Sequence, residues 1–166
     1  MSVVLGLITP KFIVLASDSQ ENIGPQKVLN SKKLFVTSHG ICGFVGNSEA
    51  QWEVERLLNN TPDPKAVVNW PTEDWGAFYF TLDGRGYEID SPGEIGWIEG
   101  RQVIACGTGD QYALGAVGGF CAAKNIANIS NCSLKMLTRI AFVGVSAAIN
   151  WDRSCGGDIQ TLYLSL

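Results

Sequence analysis

Residues 2–19 read Ser-Val-Val-Leu-Gly-Leu-Ile-Thr-Pro-Lys-Phe-Ile-Val-Leu-Ala-Ser-Asp-Ser. Two apolar runs, 3–8 and 12–16, are separated by a short break containing Thr9-Pro10. Such a break between β-rich runs predicts a hairpin, here with Pro in the turn instead of Asn-Gly. Neither run alternates apolar with polar residues. Near-continuous apolar strands are covered on both faces, so this hairpin is predicted to be sandwiched between other layers. A second pair follows the same pattern: 33–37 and 41–45, joined by Ser38-His39-Gly40. His39 sits at that turn and is given no role.

The rest of the chain is read outward from these strands. Ser48-Glu49-Ala50-Gln51 matches a capping box with Ser48 at the N-cap, and predicts a helix ending at Asn59-Asn60-Thr61-Pro62. Trp52, Val54, Leu57 and Leu58 supply its apolar spacing. Residues 61–74 are polar, carry three prolines and hold at most one short helix. Strands are predicted over 75–82, 87–89 and 101–106, with a weaker, glycine-broken one in 93–100. A helix over 110–124 places Tyr112, Ala113, Ala116, Val117, Phe120 and Lys124 on one stripe. Its Gly115, Gly118 and Gly119 lower helix propensity, which predicts close approach of a neighbouring element. Ser133 caps a helix to about residue 149, with Leu134, Leu137, Ile140, Ala141, Gly144, Val145 and Ala148 at helical spacing. Residues 158–166 alternate as a closing strand. Helices come in pairs instead of following every strand. That order fits an α+β protein of stacked layers, two sheets inside and helices outside, over one domain spanning 1–166.

Bulk properties narrow the function. The chain has 166 residues, 46% apolar and 17% charged, a balance that opposes intrinsic disorder and suits one buried core. The net charge is −4 and no Lys/Arg run stands out, which argues against a nucleic-acid partner. The cysteines are Cys42, Cys106, Cys121, Cys132 and Cys155. They are odd in number, form no C-x-x-C and accompany a single histidine. They read as small buried thiols in a reducing compartment, not as a zinc site or a disulfide framework. The first residues lack the basic region and cleavage site of a signal peptide, and no apolar run approaches a bilayer span. The expectation is a cytoplasmic protein without a membrane partner.

A few polar residues carry the reading further. Ser2 follows Met1, and Asp18 comes sixteen residues later in Ala16-Ser17-Asp18-Ser19. Lys32-Lys33-Leu34 opens a strand, and Gly43-Phe44-Val45-Gly46 closes one before a helix. Gly107-Thr108-Gly109 opens the glycine-rich helix, and Asp152-Arg153-Ser154-Cys155-Gly156-Gly157 precedes the last strand. Each has a plain structural alternative. Ser2 reads as a small second residue, Asp18 as a turn or cap, and Lys33 as a solvated strand end. Thr108 reads as a turn hydroxyl, Asp152-Arg153 as a surface ion pair, and Cys155 as a buried thiol.

As an ordered set, these motifs resemble the proteasome β-subunit family and its bacterial ring-peptidase relatives, over nearly the whole chain. The resemblance implies the N-terminal-nucleophile (Ntn) hydrolase fold, a four-layer αββα sandwich of two mainly antiparallel sheets flanked by helices. It also implies homo-oligomeric rings, a peptide or protein substrate, no cofactor and, by analogy alone, an ATPase partner. In that family the first residue of the mature chain is the nucleophile and its own free amine is the base. The resemblance places Ser2 at the nucleophile, Lys33 at the site lysine and Asp18 as its partner. Gly46 would supply the oxyanion donor, and Thr108, Asp152 and Cys155 would orient the terminal amine.

The sequence departs from the family pattern in three ways. Ser2 stands where Thr is usual, losing a methyl group, and Cys155 stands where Ser is usual. The third is Met1: while it stays attached, the nitrogen of Ser2 is an amide and is not basic. The segment before Trp75 is also shorter than in the family. The implied function is therefore an N-terminal serine peptidase active after Met1 removal. The alternative is a catalytically silent protein of the same fold, serving as a structural or assembly subunit of a larger particle. A small-molecule amidase is a third option.

Overall fold

The hairpin read from the opening stretch is present, as β1 (Val4–Ile8) and β2 (Phe12–Ser17), paired antiparallel. The computed structural model describes residues 2–23 and 26–166. Flanking strands complete a four-stranded sheet in the order β10-β1-β2-β11, where β10 is Val103–Cys106 and β11 is Gln160–Ser165. A second sheet of five strands runs β5-β6-β7-β8-β9 in chain order. Its strands are β5 (Leu34–Thr37), β6 (Gly40–Val45), β7 (Gly76–Thr81), β8 (Gly86–Asp90) and β9 (Glu94–Trp97). Every pairing in both sheets is antiparallel. The helices are α1 (Ser48–Asn60), α2 (Asp110–Ala123) and α3 (Leu134–Trp151).

Side-chain alternation along the strands explains the unbroken apolar runs. Val3, Leu5 and Leu7 point one way with Val14 and Ala16, and pack on Ala113 and Val117 of α2 and on Leu137, Ile140 and Val145 of α3. Val4, Ile13 and Leu15 point the other way, onto Leu34, Ile41, Phe78 and Phe80 of the second sheet. The far face of that sheet, with Phe35, Phe44, Tyr79 and Ile89, packs on Ala50, Val54 and Leu58 of α1 and on Trp70 and Trp75. Each buried Val, Leu, Ile or Phe in these three cores contributes about 1.5–3 kcal/mol of transfer free energy. Strands with an apolar neighbour on both faces have no reason to alternate with polar residues.

Several local expectations need correction. The N-cap of α1 is Asn47, not Ser48: the Asn47 side chain accepts from the Ala50 amide at 2.7 Å. Trp52 does not join the apolar face of α1 and is 80% exposed. In α3, Ser133 caps as expected, its hydroxyl accepting from the Met136 amide. A short hairpin, β3 (Glu21–Ile23) with β4 (Gln26–Val28), was not signalled, because its strands are only three residues long and two of the three in each are polar. Only Cys42 and Cys155 are buried thiols; Cys106, Cys121 and Cys132 are partly exposed. Tyr112 and Lys124 lie outside the buried stripe of α2.

The glycines of α2 do not admit a neighbour. A Cβ at Gly115, Gly118 or Gly119 would meet nothing within 4 Å. Close approach occurs instead at Gly144 of α3, where a Cβ would come 2.7 Å from Leu5 Cδ2 and 3.0 Å from Val117 Cγ2. The Gly118→Ala variant is therefore expected to raise stability by about 0.5–1 kcal/mol through helix propensity alone. Chemical denaturation measures this as a higher midpoint at unchanged slope.

Candidate active site

Asp18 lies one residue past the end of β2, where the sheet delivers it to the molecular interior with no solvent exposure. Its carboxylate is saturated with donors. Oδ1 accepts from the Val3 amide at 3.0 Å and from Lys33 Nζ at 2.7 Å. Oδ2 accepts from the Gly156 amide at 3.0 Å and the Gln20 amide at 3.3 Å. The donors come from the start of β1, the Lys33 side chain, the loop before β11 and the residues just after Asp18 itself.

Lys33 precedes β5 and is held at both backbone ends. Its amide donates to Gln160 Oε1 in β11 at 3.1 Å, and its carbonyl accepts from the Phe44 amide in β6 at 2.9 Å. Its ammonium donates to Asp18 and to the Gln20 carbonyl. The side chain is 4% exposed, so the solvated-strand-end alternative does not hold. Burial pulls the ammonium below its usual pKa, and the facing Asp18 carboxylate opposes that shift.

Ser2 stands two residues before Val4, the first of β1, is 1% exposed, and lines a cleft of about 770 Å³ together with Gly46 and Thr108. The Ser2 carbonyl accepts from the Gly109 amide at 3.4 Å. Gly107 makes that approach possible. Its φ is +96°, and a Cβ there would fall 2.1 Å from the Ser2 carbonyl oxygen. Gly46 follows β6 directly, with φ +149°, and Asn47 then caps α1. Its amide therefore lies at a helix N-terminus, the positive end of the helix dipole.

Asp152 caps the C-terminus of α3. Oδ1 accepts from the Ser154 amide at 2.8 Å, and Oδ2 from the Cys155 thiol at 3.6 Å. Burial acts to raise the Asp152 carboxyl, but the nearby Thr108 hydroxyl and the hydrogen bonds from Ser154 and Cys155 outweigh it and hold the group below the usual range. Asp152 makes no ion pair with Arg153. Burial and the charges of Asp18 and Asp152 push the Cys155 thiol up, so it stays protonated as a donor. Cys155 Sγ lies 2.8 Å from where a Cβ on Gly109 would stand, and so packs against the loop carrying Thr108.

The seven residues singled out from sequence are thus brought into one connected set. Ser2, Gly46 and Thr108 face the cleft. Asp18 and Lys33 lie behind it, tied to the Ser2 end through the Val3 amide. Asp152 and Cys155 join through Thr108 and Gly109. Met1 lies outside the described residues. Gln20 was missed. It is 3% exposed, its amide and carbonyl bind Asp18 and Lys33, and its Nε2 donates to the Arg153 carbonyl at 3.3 Å. Glu21, Asn22, Asp74 and Asp90 at the cleft were missed too. None of these has a sequence signal beyond its residue type. Among the described residues, no group of three or more His, Cys, Asp or Glu is placed to hold a metal ion. No described helix is long and apolar enough to cross a membrane.

The fold defines a class. It is the proteasome-β-like N-terminal-nucleophile hydrolase fold, an α+β arrangement of antiparallel sheets with three helices. Among the solved structures that resemble it is eukaryotic HslV from Trypanosoma brucei, at TM-score 0.74 and 17% identity over 99% of both chains. Thiobacillus denitrificans BPH in complex with epoxomicin matches at TM-score 0.72 and 14% identity, over 99% of this chain and 98% of that one. A further structure of Thiobacillus denitrificans BPH matches at TM-score 0.70 and 15% identity, over 99% of this chain and 98% of that one. No family model and no curated protein sequence matches the chain. At these identities the likeness establishes the fold alone.

Proposed function

We propose that the chain is an N-terminal serine peptidase, with Ser2 as nucleophile once it is the first residue of the mature protein. The observation that carries this is the buried Lys33–Asp18 pair, tethered through the Val3 amide to the residue that opens onto the cleft. A hydroxyl needs an adjacent base, and a chain-terminal amine of ordinary pKa about 7.7–8.0 is poised for that task. The Ser2 amine takes the Oγ proton as Oγ bonds to the peptide carbonyl carbon. The Gly46 amide, at the N-terminus of α1, donates to the oxyanion. The ammonium then gives its proton to the leaving amine, and an ester to Ser2 remains. Water, deprotonated by the same amine, releases the acid and restores the hydroxyl. The Lys33 charge favours both the deprotonated oxygen and the neutral amine. Thr108, Asp152 and Cys155 orient the amine, with a thiol supplying the donor where the family uses a hydroxyl.

The three stacked cores support a four-layer αββα sandwich as the finer architecture. By likeness to its structural neighbours, the protein works as a cytoplasmic homo-oligomeric ring acting on peptides. It is expected to elute from a sizing column far above its 17.9 kDa chain mass.

Intact-mass analysis before and after treatment with a peptide epoxyketone tests the site. The expected result is a chain beginning at Ser2 that gains the mass of one inhibitor per subunit, while a chain retaining Met1 gains none. A Ser2-initiated chain that takes up no inhibitor would remove the peptidase and leave the silent subunit.

A further inference from the structure

Glu21, Asp74, Asp90 and Asp110 line the cleft, and among the described residues no lysine, arginine or histidine does. Acidic residues on the rim of an acidic protein say little by themselves, and two of these are already engaged. Glu21 Oε1 accepts from the Ser48 amide at 3.1 Å, and Asp110 Oδ1 accepts from the Gln111 amide. Asp90 is set apart by its position. It ends β8 directly opposite Gly76 of β7, and Gly76 is in turn opposite Val45 of β6. Gly76 lines the cleft without a side chain. A Cβ there would stand 3.2 Å from Asp90 Oδ1, so the glycine leaves that carboxylate uncovered. Val45 Cγ1 lies 3.3 Å from the Cβ position of Gly107, the residue packed on the Ser2 carbonyl.

These contacts set a distance. Neighbouring strands are about 4.8 Å apart, so Asp90 lies two strand steps, about 10 Å, across the cleft from Val45. An extended peptide advances about 3.3 Å per residue. A long cationic side chain within one or two residues of a carbonyl at Ser2 therefore spans the gap. Asp90 also lacks a counter-charge. It makes no salt bridge among the described residues, whereas its strand neighbour Glu88 is paired with Arg101 at 3.1 Å. Asp90 is exposed to the cleft, yet partial burial, then the charges of Glu88 and Glu94, push its carboxyl up.

We infer that Asp90 is a specificity residue whose carboxylate, at the end of the glycine-floored recess, receives a lysine or arginine side chain of a bound peptide. This deepens the peptidase proposal by naming a substrate class, and it rests on the cleft at Ser2 being the peptide site.

The test separates binding from hydrolysis. Acetyl-Ala-Ala-Arg, -Lys, -norleucine and -Glu amides are titrated calorimetrically against the Ser2→Ala protein. The Arg and Lys peptides are expected to bind about fivefold or more tighter than the norleucine peptide, the Glu peptide weakest. That ratio is expected to collapse in Ser2→Ala/Asp90→Asn and to shrink at about 1 M salt, where screening acts within about 3 Å. Glu99→Gln, which removes an exposed charge away from the cleft, is expected to leave the ratio unchanged. Equal binding of all four peptides, or a preference that survives Asp90→Asn, would overturn the assignment. The active chain is assayed in parallel with matching fluorogenic peptides. Preference in binding without any hydrolysis retains the Asp90 role and removes the peptidase. Hydrolysis without a basic preference does the reverse.

Discussion

Peptide hydrolysis by the chain that begins at Ser2 is expected to fall by on the order of 10⁴-fold or more on Ser2→Ala. The substitution removes one oxygen and leaves the amine, the Lys33 charge and the Gly46 amide in place. None of those can form the ester through which the reaction passes, so they cannot compensate. Stability is a control here, because Ser2 is a small residue in a pocket that alanine fits. Unfolding free energies of the two proteins are expected to agree within about 0.5 kcal/mol. Extending the chain by one residue ahead of Ser2 is expected to abolish turnover as completely, since it converts the amine to an amide while keeping the hydroxyl. Equal turnover in all three proteins would place any hydrolysis elsewhere.

The second large effect is on stability. Asp18→Ala is expected to cost about 3–5 kcal/mol, because it leaves the Lys33 ammonium inside the protein with only the Gln20 carbonyl as acceptor. It also strands the Val3 and Gly156 amides, which donate to Asp18. In melting experiments this amounts to a fall on the order of 10 °C. Charge burial makes the loss depend on pH, and the sign can be worked out. The folded-state pKa of Lys33 is already depressed by burial, and without Asp18 the opposing influence is gone. A lysine whose folded pKa lies below its unfolded value of about 10.4 destabilises the fold while protonated. That penalty fades as pH rises through the folded pKa. The stability gap between Asp18→Ala and the parent should therefore narrow from pH 7 toward pH 10. Asp18→Ala/Lys33→Met removes both charges and is expected to regain much of the stability but none of the hydrolysis. A single Asp18→Ala variant as stable as the parent at pH 7 would show that the pair contributes little.

Much of the architecture could be read from the chain because its central strands are buried twice. Runs such as 3–8 and 12–16 carry no polar residue to confuse them, and their ends are marked by Pro10 and Asp18. The β3–β4 hairpin carries no such mark. Asn22, Gln26, Lys27 and Val28 are exposed, and its place comes from tertiary anchors such as Lys27 Nζ donating to the Arg153 carbonyl. Trp52 misled for the opposite reason: its size suggested the core, but it lies off the face defined by Ala50, Val54 and Leu58. At the site, spacing and residue type were enough to pick out Ser2, Asp18 and Lys33. They could not reveal Gln20, whose importance lies in its backbone groups, which every residue has. Nor could they reveal Asp90, which reaches the cleft only because β8 lies two strands from β6.

The Asp18 carboxylate and Lys33 are secured by residues from the far end of the polypeptide, through the Gly156 amide and the Gln160 side chain. A nascent chain that has not yet reached residue 156 possesses every opening strand and yet cannot lock its charged centre. Contacts this remote along the chain are also among the slowest to form during folding. Closure of the charged centre thus waits on residues 156–160, which lie 138 and 127 residues along the chain from their partners Asp18 and Lys33.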